Sequence, residues 1–275
     1  MRFVRAGVVM IFILSLVIFG VSRVVLFQNR DPNEPEIVSD REILEIPCEY
    51  TQEQLLEGLT ASDQEDGDLT SQIVAGSFSR FIEPGLCNMT YVVFDSADQP
   101  ASLTRQVRFT DYHSPRFTLT EPLVFSEGEG SYDELMGRLG AQDQLDGDLS
   151  DWITQTDTDV NYQRAGNYTT TLEMSNSLGD TVTQDLPIHV VAAEGHSLEI
   201  VLNTGIVYID QGSGIDAAAY IQELLDSQGN NLDTSLISSE SNVDPQTPGC
   251  YEVHYQAEDG QGNSGETWLT VIVEG

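Results

Sequence analysis

Two near-identical octets lie 80 residues apart, Asp63-Gln64-Glu65-Asp66-Gly67-Asp68-Leu69-Thr70 and Asp143-Gln144-Leu145-Asp146-Gly147-Asp148-Leu149-Ser150. A degraded copy, Asp226-Ser227-Gln228-Gly229-Asn230-Asn231-Leu232, follows 83 residues after the second and keeps only the first Asp and the Leu in place. Self-similarity at a fixed period is the mark of an array of structural repeats, so the chain beyond its N-terminal segment reads as three units.

Each octet is followed by a glycine, at Gly85, Gly166 and Gly249, and then by residues that alternate. Cys87, Met89, Tyr91 and Val93 form one face in the first unit, Tyr168, Thr170, Leu172 and Met174 in the second, and Tyr251, Val253, Tyr255 and Ala257 in the third. Period two predicts a strand with one buried face. Ahead of each octet is a helical signal. Thr51 to Gln54 and Ser131 to Glu134 fit the capping box, opening onto Leu55/Leu56/Leu59 and Leu135/Met136/Leu139, with Ile221/Leu224/Leu225 as the third version.

The order Leu-x-Ala-x-Asp-x-x-Asp-Gly-Asp-Leu-Thr over 59–70, the Pro-Gly step at Pro84-Gly85 and Pro248-Gly249, and the turn Asp259-Gly260-Gln261-Gly262-Asn263-Ser264 together resemble a known family. It is the bacterial Ig-like surface repeat, HYR-like or cadherin-like, also found at the ends of pesticidal crystal proteins. The resemblance runs over roughly residues 37 to 275 and departs from the pattern at Asn176-Ser177-Leu178-Gly179-Asp180 and at the third octet. It implies an all-β fold of three tandem Ig-like β-sandwich domains on an extracellular surface, and no single activity.

Residues 6–27 are almost uninterruptedly apolar, and ~22 residues at ~1.5 Å each suffice to cross a ~30 Å hydrocarbon core. A membrane helix is expected there in preference to a cleaved signal peptide, because the apolar run resumes as Val24-Val25-Leu26-Phe27. Residues 1–5 form the cytoplasmic tail, with Arg2 and Arg5 favouring that orientation. The linker is 28–36, and the domains run 37–112, 113–192 and 195–275. The joints are short, so the units are expected to stack end to end with limited bending, reaching ~90 Å from the membrane if each is ~30 Å across.

All eleven basic residues are Arg, and beyond residue 30 seven Arg face 45 acids, a formal charge of −38. Such a surface offers nucleic acid and anionic lipid no basic stripe on which to release counterions, so neither is an expected partner. No His-Glu-x-x-His, Gly-x-Ser-x-Gly or phosphate-cradling glycine loop is present, and no Lys exists to activate a Ser. The reading is therefore not an enzyme, with no catalytic residues and no cofactor required. His113, His189, His196 and His254 read as solvated or locally hydrogen-bonded residues.

Calcium is the ion the octets suit. Asp63, Asp66 and Asp68, and again Asp143, Asp146 and Asp148, supply hard oxygen ligands around a glycine, although their spacing is not that of an EF-hand loop. The competing reading is that these carboxylates cap the amides of their own turn while Gly67 and Gly147 take positive φ. The third unit, with Asn230 and Asn231, is not expected to bind in either case. Cys48 and Cys87 fall on inward phases of facing strands and are candidates for a disulfide, worth roughly 4 kcal/mol for so long a loop; two buried thiols is the other reading. Cys250 is in the opposite phase and should be an exposed thiol.

The functional expectation is a membrane-anchored spacer or adhesion module of the bacterial envelope, single-pass, its repeats outside the cell and its partner an envelope protein or glycan. The alternative is a carbohydrate- or peptidoglycan-binding accessory protein, stabilised by calcium. Trp152 and Trp268 are the indoles available for stacking on a sugar. Trp152 also reads as the start of a core strand, and Trp268, in phase with Thr270 and Ile272, as packed against the terminal sheet.

Overall fold

The computed structural model describes residues 2–28, 33–192 and 197–275. The first element is a helix, Arg2–Gln28, whose described side chains, 10–23, are all exposed. Among the described residues no helix is long and apolar enough to cross a membrane. The described residues thus do not supply the span expected over 6–27. The joint at 193–196 and the linker residues 29–32 lie outside the description.

The chain divides into two compact units, Met1–Ile82 with Leu86–Thr110, and Glu83–Gly85 with Asp111–Gly275. The first unit holds the first repeat. One sheet has Leu59–Asp63 between Glu36–Ser39 and the short Gly67–Asp68; the other has the order Ile43–Ile46, Pro100–Phe109, Leu86–Phe94, Val74–Phe78. Ile43–Ile46 runs parallel to Pro100–Phe109 and the other pairings are antiparallel. The strand after Gly85 buries Cys87, Met89, Tyr91 and Val93, the four expected. The helix Gln52–Leu55 carries the full capping box, Thr51 accepting from Gln54 N while Gln54 Oε1 accepts from Thr51 N.

Among the described residues Arg105 is the one cation buried in this core, 4% exposed. Its guanidinium donates to the carbonyls of Leu55 and Glu57, each at 2.8 Å, and to Ser39 Oγ, and lies over the Tyr91 ring. The orphan carbonyls at the end of a one-turn helix are thereby satisfied from the opposite sheet.

The second unit holds the second and third repeats. The second repeats the first: a sheet ordered Gly147–Asp148, Leu139–Asp143, Arg116–Leu119 faces one ordered Thr154–Thr158, Gly166–Ser175, Thr181–Val191, Val124–Ser126, with side chains of both sheets in one core. In the third, Ile206–Asp210, Ser264–Glu274, Gly249–Glu258 and Ile237–Ser241 form the larger sheet, and the smaller keeps only Glu199–Leu202 and Ile221–Leu225. The missing third strand is the consequence of the degraded octet, where an isolated bridge, Leu225 to Asn231, replaces the Gly-Asp strand.

The third helical signal is corrected. Ile221, Leu224 and Leu225 belong to a strand, and the turn before it is the 3-10 stretch Ala217–Tyr220, capped by Asp216. Five residues paired to Glu199–Leu202 cannot also form a helix, and the apolar i, i+3, i+4 pattern was too short to tell the two apart. Leu59 and Leu139 likewise open strands instead of closing helices.

Within this unit the outer face of the third repeat's larger sheet is covered by the second repeat. Ile206 and Ile272 complete the second repeat's core, with Tyr208 and Cys250 packed against it. Tyr208 Oη accepts from Phe117 N at 2.8 Å, and Arg116 pairs with Glu274 through both carboxylate oxygens. A Cβ on Gly205 would stand 2.7 Å from the Glu121 carbonyl, so only glycine permits this approach. Cys250 is therefore not the exposed thiol expected from its phase: it is half-buried, and burial pushes its pKa up to about 12.

Candidate functional site

The octet forms the same turn in both intact repeats. Asp63 pairs with Gly67 and Ser62 with Asp68, as Asp143 does with Gly147 and Gln142 with Asp148. Gly67 and Gly147 both take φ of 76°, the left-handed conformation that the acidic tetrapeptide around them needs to reverse direction. Leu69 and Leu149 then donate to the carbonyls of Ala61 and Ala141 and drop into the core.

The carboxylates divide three tasks. Asp63 Oδ1 accepts from the amides of Glu65 and Asp66 at 2.6 and 2.9 Å, and Asp143 Oδ1 from Leu145 and Asp146 at 2.9 Å each. Asp68 and Asp148 cap the following 3-10 turns, accepting from Thr70 N and Ser150 N. Asp66 and Asp146 reach out of the turn, accepting from Ser96 N and Ser177 N and so tying the octet to the hairpin that joins the two longest strands. The amides of Asp66 and Glu65 hold the Asp63 carboxyl below the usual carboxylate range, and the Thr70 and Ser150 hydroxyls and amides do the same for Asp68 and Asp148.

That hairpin is where the repeats differ. Asp95 closes it in the first repeat and Asn176 in the second, their amides donating to the carbonyls of Gln99 and Asp180. Asn176 Nδ2 donates to Asp143 Oδ2 at 3.2 Å and to Tyr112 Oη at 2.9 Å, and Tyr112 in turn donates to Asp180. In the third repeat Asp226 Oδ1 caps Gln228 N and Asn230 N, and Asn230 Nδ2 returns to Asp226 Oδ2. The octet motif did not signal the hairpin residues Asp95 and Asn176, which are distant in sequence.

Among the described residues no group of three or more His, Cys, Asp or Glu is arranged to hold a metal ion. In each repeat the first and third octet aspartates accept from amides of their own turn, while Asp66 and Asp146 accept from the hairpin amides of Ser96 and Ser177. Cys48 and Cys87 are both buried and both held as thiols, so the expected disulfide is not formed in this structure; Cys87 lies with its sulfur toward the Val107 carbonyl, and burial raises its pKa to about 11.

Trp152 is corrected from core to surface. It ends the 3-10 turn Ser150–Trp152, ahead of the strand Thr154–Thr158, and is 70% exposed while its neighbour Ile153 is buried. Residues 150–152 form a 3-10 turn whose first amide donates to Asp148, so the strand phase expected for Trp152 does not start there. Its ring borders a hollow of ≈ 280 Å³ with Asp146, Asp148 and Asn176. Trp268 is packed, and its partners are two histidines: His189 on one face at 3.9 Å and His254 on the other at 4.1 Å, both nearly parallel. His189 Nε2 meets Glu252 at 2.5 Å and its Nδ1 meets Asn167, and His254 meets Glu266 at 2.9 Å.

Two-sheet repeats with a shared core between the sheets and a capped acidic turn define a tandem Ig-like β-sandwich protein. Residues 196–273 match the family model described as bacterial surface protein, Ig-like domain. The chain is 26% identical over 224 residues to the pesticidal crystal protein Cry22Aa of Bacillus thuringiensis, covering 79% of this chain and 30% of that protein. It is 28% identical over 142 residues to an uncharacterized 81.3 kDa protein of Acholeplasma phage L2, covering 51% of this chain and 19% of the other. The chain thus spans a third or less of the curated relatives it matches. Similar solved structures include the CBM51-2 and INT domains of Clostridium perfringens ZmpB, with TM-score 0.24, 18% identity and 60% and 31% of the two chains covered. Another is the protocadherin gammaB7 EC3-6 cis-dimer, with TM-score 0.20, 12% identity and coverage of 88% and 78%. Scores this low carry no argument about ligand or arrangement.

Proposed function

We propose that this chain is a non-catalytic interaction module on the bacterial surface, anchored to the membrane by residues 6–27 and presenting its three Ig-like repeats outside the cell as a spacer or adhesion element. The observation that carries this reading is what the repeated motif is used for: in both intact octets the acidic side chains hold a turn and a hairpin together, which is scaffold chemistry. The uninterrupted apolar run of 6–27 supports the anchor, and the family match of 196–273 supports the surface location. The contacts that lock the third repeat onto the second favour a stiff element over a string of swinging domains. Fractionation tests the anchor: the full chain should sediment with membranes, resist an alkaline carbonate wash and be released by detergent, whereas recovery in the soluble fraction contradicts it.

A second reading, saccharide binding, rests on the exposed indole of Trp152 beside carboxylate and amide groups, the pairing of apolar face and polar rim that sugar rings use. Titration with peptidoglycan fragments or chitooligosaccharides while following tryptophan fluorescence tests it. Quenching that disappears in Trp152→Ala supports the reading, and an unchanged spectrum removes it.

A further inference from the structure

The first repeat buries two carboxylate oxygens that nothing satisfies. Asp63 is 7% exposed and Asp95 6%. Each uses Oδ1 on two backbone amides, Asp63 on Glu65 and Asp66, Asp95 on Ala97 and Gln99, and each leaves a buried Oδ2 with no hydrogen-bond partner. An unpaired buried polar oxygen is costly, and two like charges close together more so.

The second repeat shows where these oxygens point. Asp143 stands at the position of Asp63, and Asn176 at that of Asp95, with the same pairing register and the same hairpin closure. There Asp143 Oδ2 accepts from Asn176 Nδ2 at 3.2 Å, and by that correspondence the two unpaired oxygens of the first repeat belong to the two sides of the equivalent gap. Asp66, bonded to Ser96 N at 2.7 Å, holds the octet turn against the Asp95 hairpin as Asp146 does through Ser177. One repeat closes the gap with an amide donor; the other presents two acceptors to it. Gln99, which closes the first hairpin, is turned to the Asn33 carbonyl.

We propose that the first repeat, and it alone, binds a divalent cation between Asp63 and Asp95, with calcium the ion the donors suit. All the available ligands are hard oxygens, and they sit in an irregular turn that tolerates calcium's variable coordination better than the strict octahedron of magnesium. With two carboxylates in place of three or more, backbone carbonyls and water complete the shell, which places the affinity in the 10⁻⁴–10⁻³ M range of extracellular modules. The site narrows the six octet aspartates to one and adds a residue from outside the octet. In the second repeat Asn176 already fills the role, and in the third Asn230 satisfies Asp226. The proposal is independent of what the repeats bind.

Isothermal titration of the detergent-solubilised full chain with calcium chloride tests this, with thermal melting alongside. The wild type should take up one ion per chain with a dissociation constant of roughly 0.1–1 mM, and its first-unit transition should rise by several degrees in ~10 mM calcium. Asp95→Asn reproduces the second repeat's amide and should abolish both the heat and the shift while melting higher than the calcium-free wild type; Asp63→Asn, whose side-chain oxygen still caps the turn, should abolish the heat as well. No uptake by the wild type up to ~10 mM, well above the affinity range expected, overturns the proposal whether or not either variant folds. So does a stoichiometry of two or three ions, or binding that survives in a folded Asp95→Asn chain.

Discussion

The indole of Trp268 lies against the imidazole of His189 with centroids 3.9 Å apart and planes 8° from parallel, although the two residues belong to different repeats. His254, on the neighbouring strand, covers the other face of the indole at 4.1 Å, and Glu252 of the same strand pairs with His189. The stack spans the seam of the second unit and, with Ile206, Ile272 and Tyr208, joins the outer face of the third repeat's sheet to the second repeat.

Trp268→Ala removes the middle ring of this stack. Because the indole is half-buried, the loss should be about 2–4 kcal/mol, at or below the range for truncating a core aromatic. Differential scanning calorimetry should show the third repeat melting ahead of the second, where the wild type melts them together.

Arg105→Met leaves the Leu55 and Glu57 carbonyls without their donor inside the first unit. At ~1–3 kcal/mol for each buried acceptor left unsatisfied, partly relieved by the apolar replacement, the first unit should lose about 3 kcal/mol. Urea unfolding should move that unit's transition and leave that of the second unit in place.

Asp148 owes its lowered pKa first to the Ser150 hydroxyl and then to the Ser150 amide. A carboxyl whose folded-state pKa is depressed stabilises the fold fully above its unfolded value, about 3.9, and that contribution is lost as the pH falls through the lower folded-state value. Asp148→Asn should therefore melt below the wild type at pH 7 and 5, and the gap should close on further acidification. Taking the difference removes the general effect of discharging an acidic surface; a gap that stays constant down to pH 2 contradicts the cap.

The cysteines are predicted to be three thiols. Burial raises Cys87 to about 11 and Cys250 to about 12, so iodoacetamide at pH 8 should label the native chain slowly. After denaturation without reductant, intact mass should show three adducts; one adduct alone would mean that Cys48 and Cys87 are joined after all.

The repeat frame and the buried phases were legible because they are local. Tyr91, Leu172 and Val253 are core residues by simple alternation, and Gly67 and Gly147 mark a reversal wherever they stand. What escaped depends on distant partners. Asp95 reads as an ordinary hairpin aspartate until the hairpin meets a turn 32 residues earlier. His254 and Cys250 read as outward because the strand pattern shows which face is outside the sandwich, but not that the second repeat covers that face. Trp152 ends the 3-10 turn Ser150–Trp152, whose first amide donates to Asp148, so the strand expected to open at Trp152 begins two residues later at Thr154.

The central claim, a surface module held by its N-terminal segment, is tested most directly by adding proteinase K to intact cells that make the full chain. The account predicts that the repeats are digested while a fragment containing residues 6–27 stays with the membrane and a cytoplasmic marker survives. Protection of the full chain until the cells are lysed would contradict it.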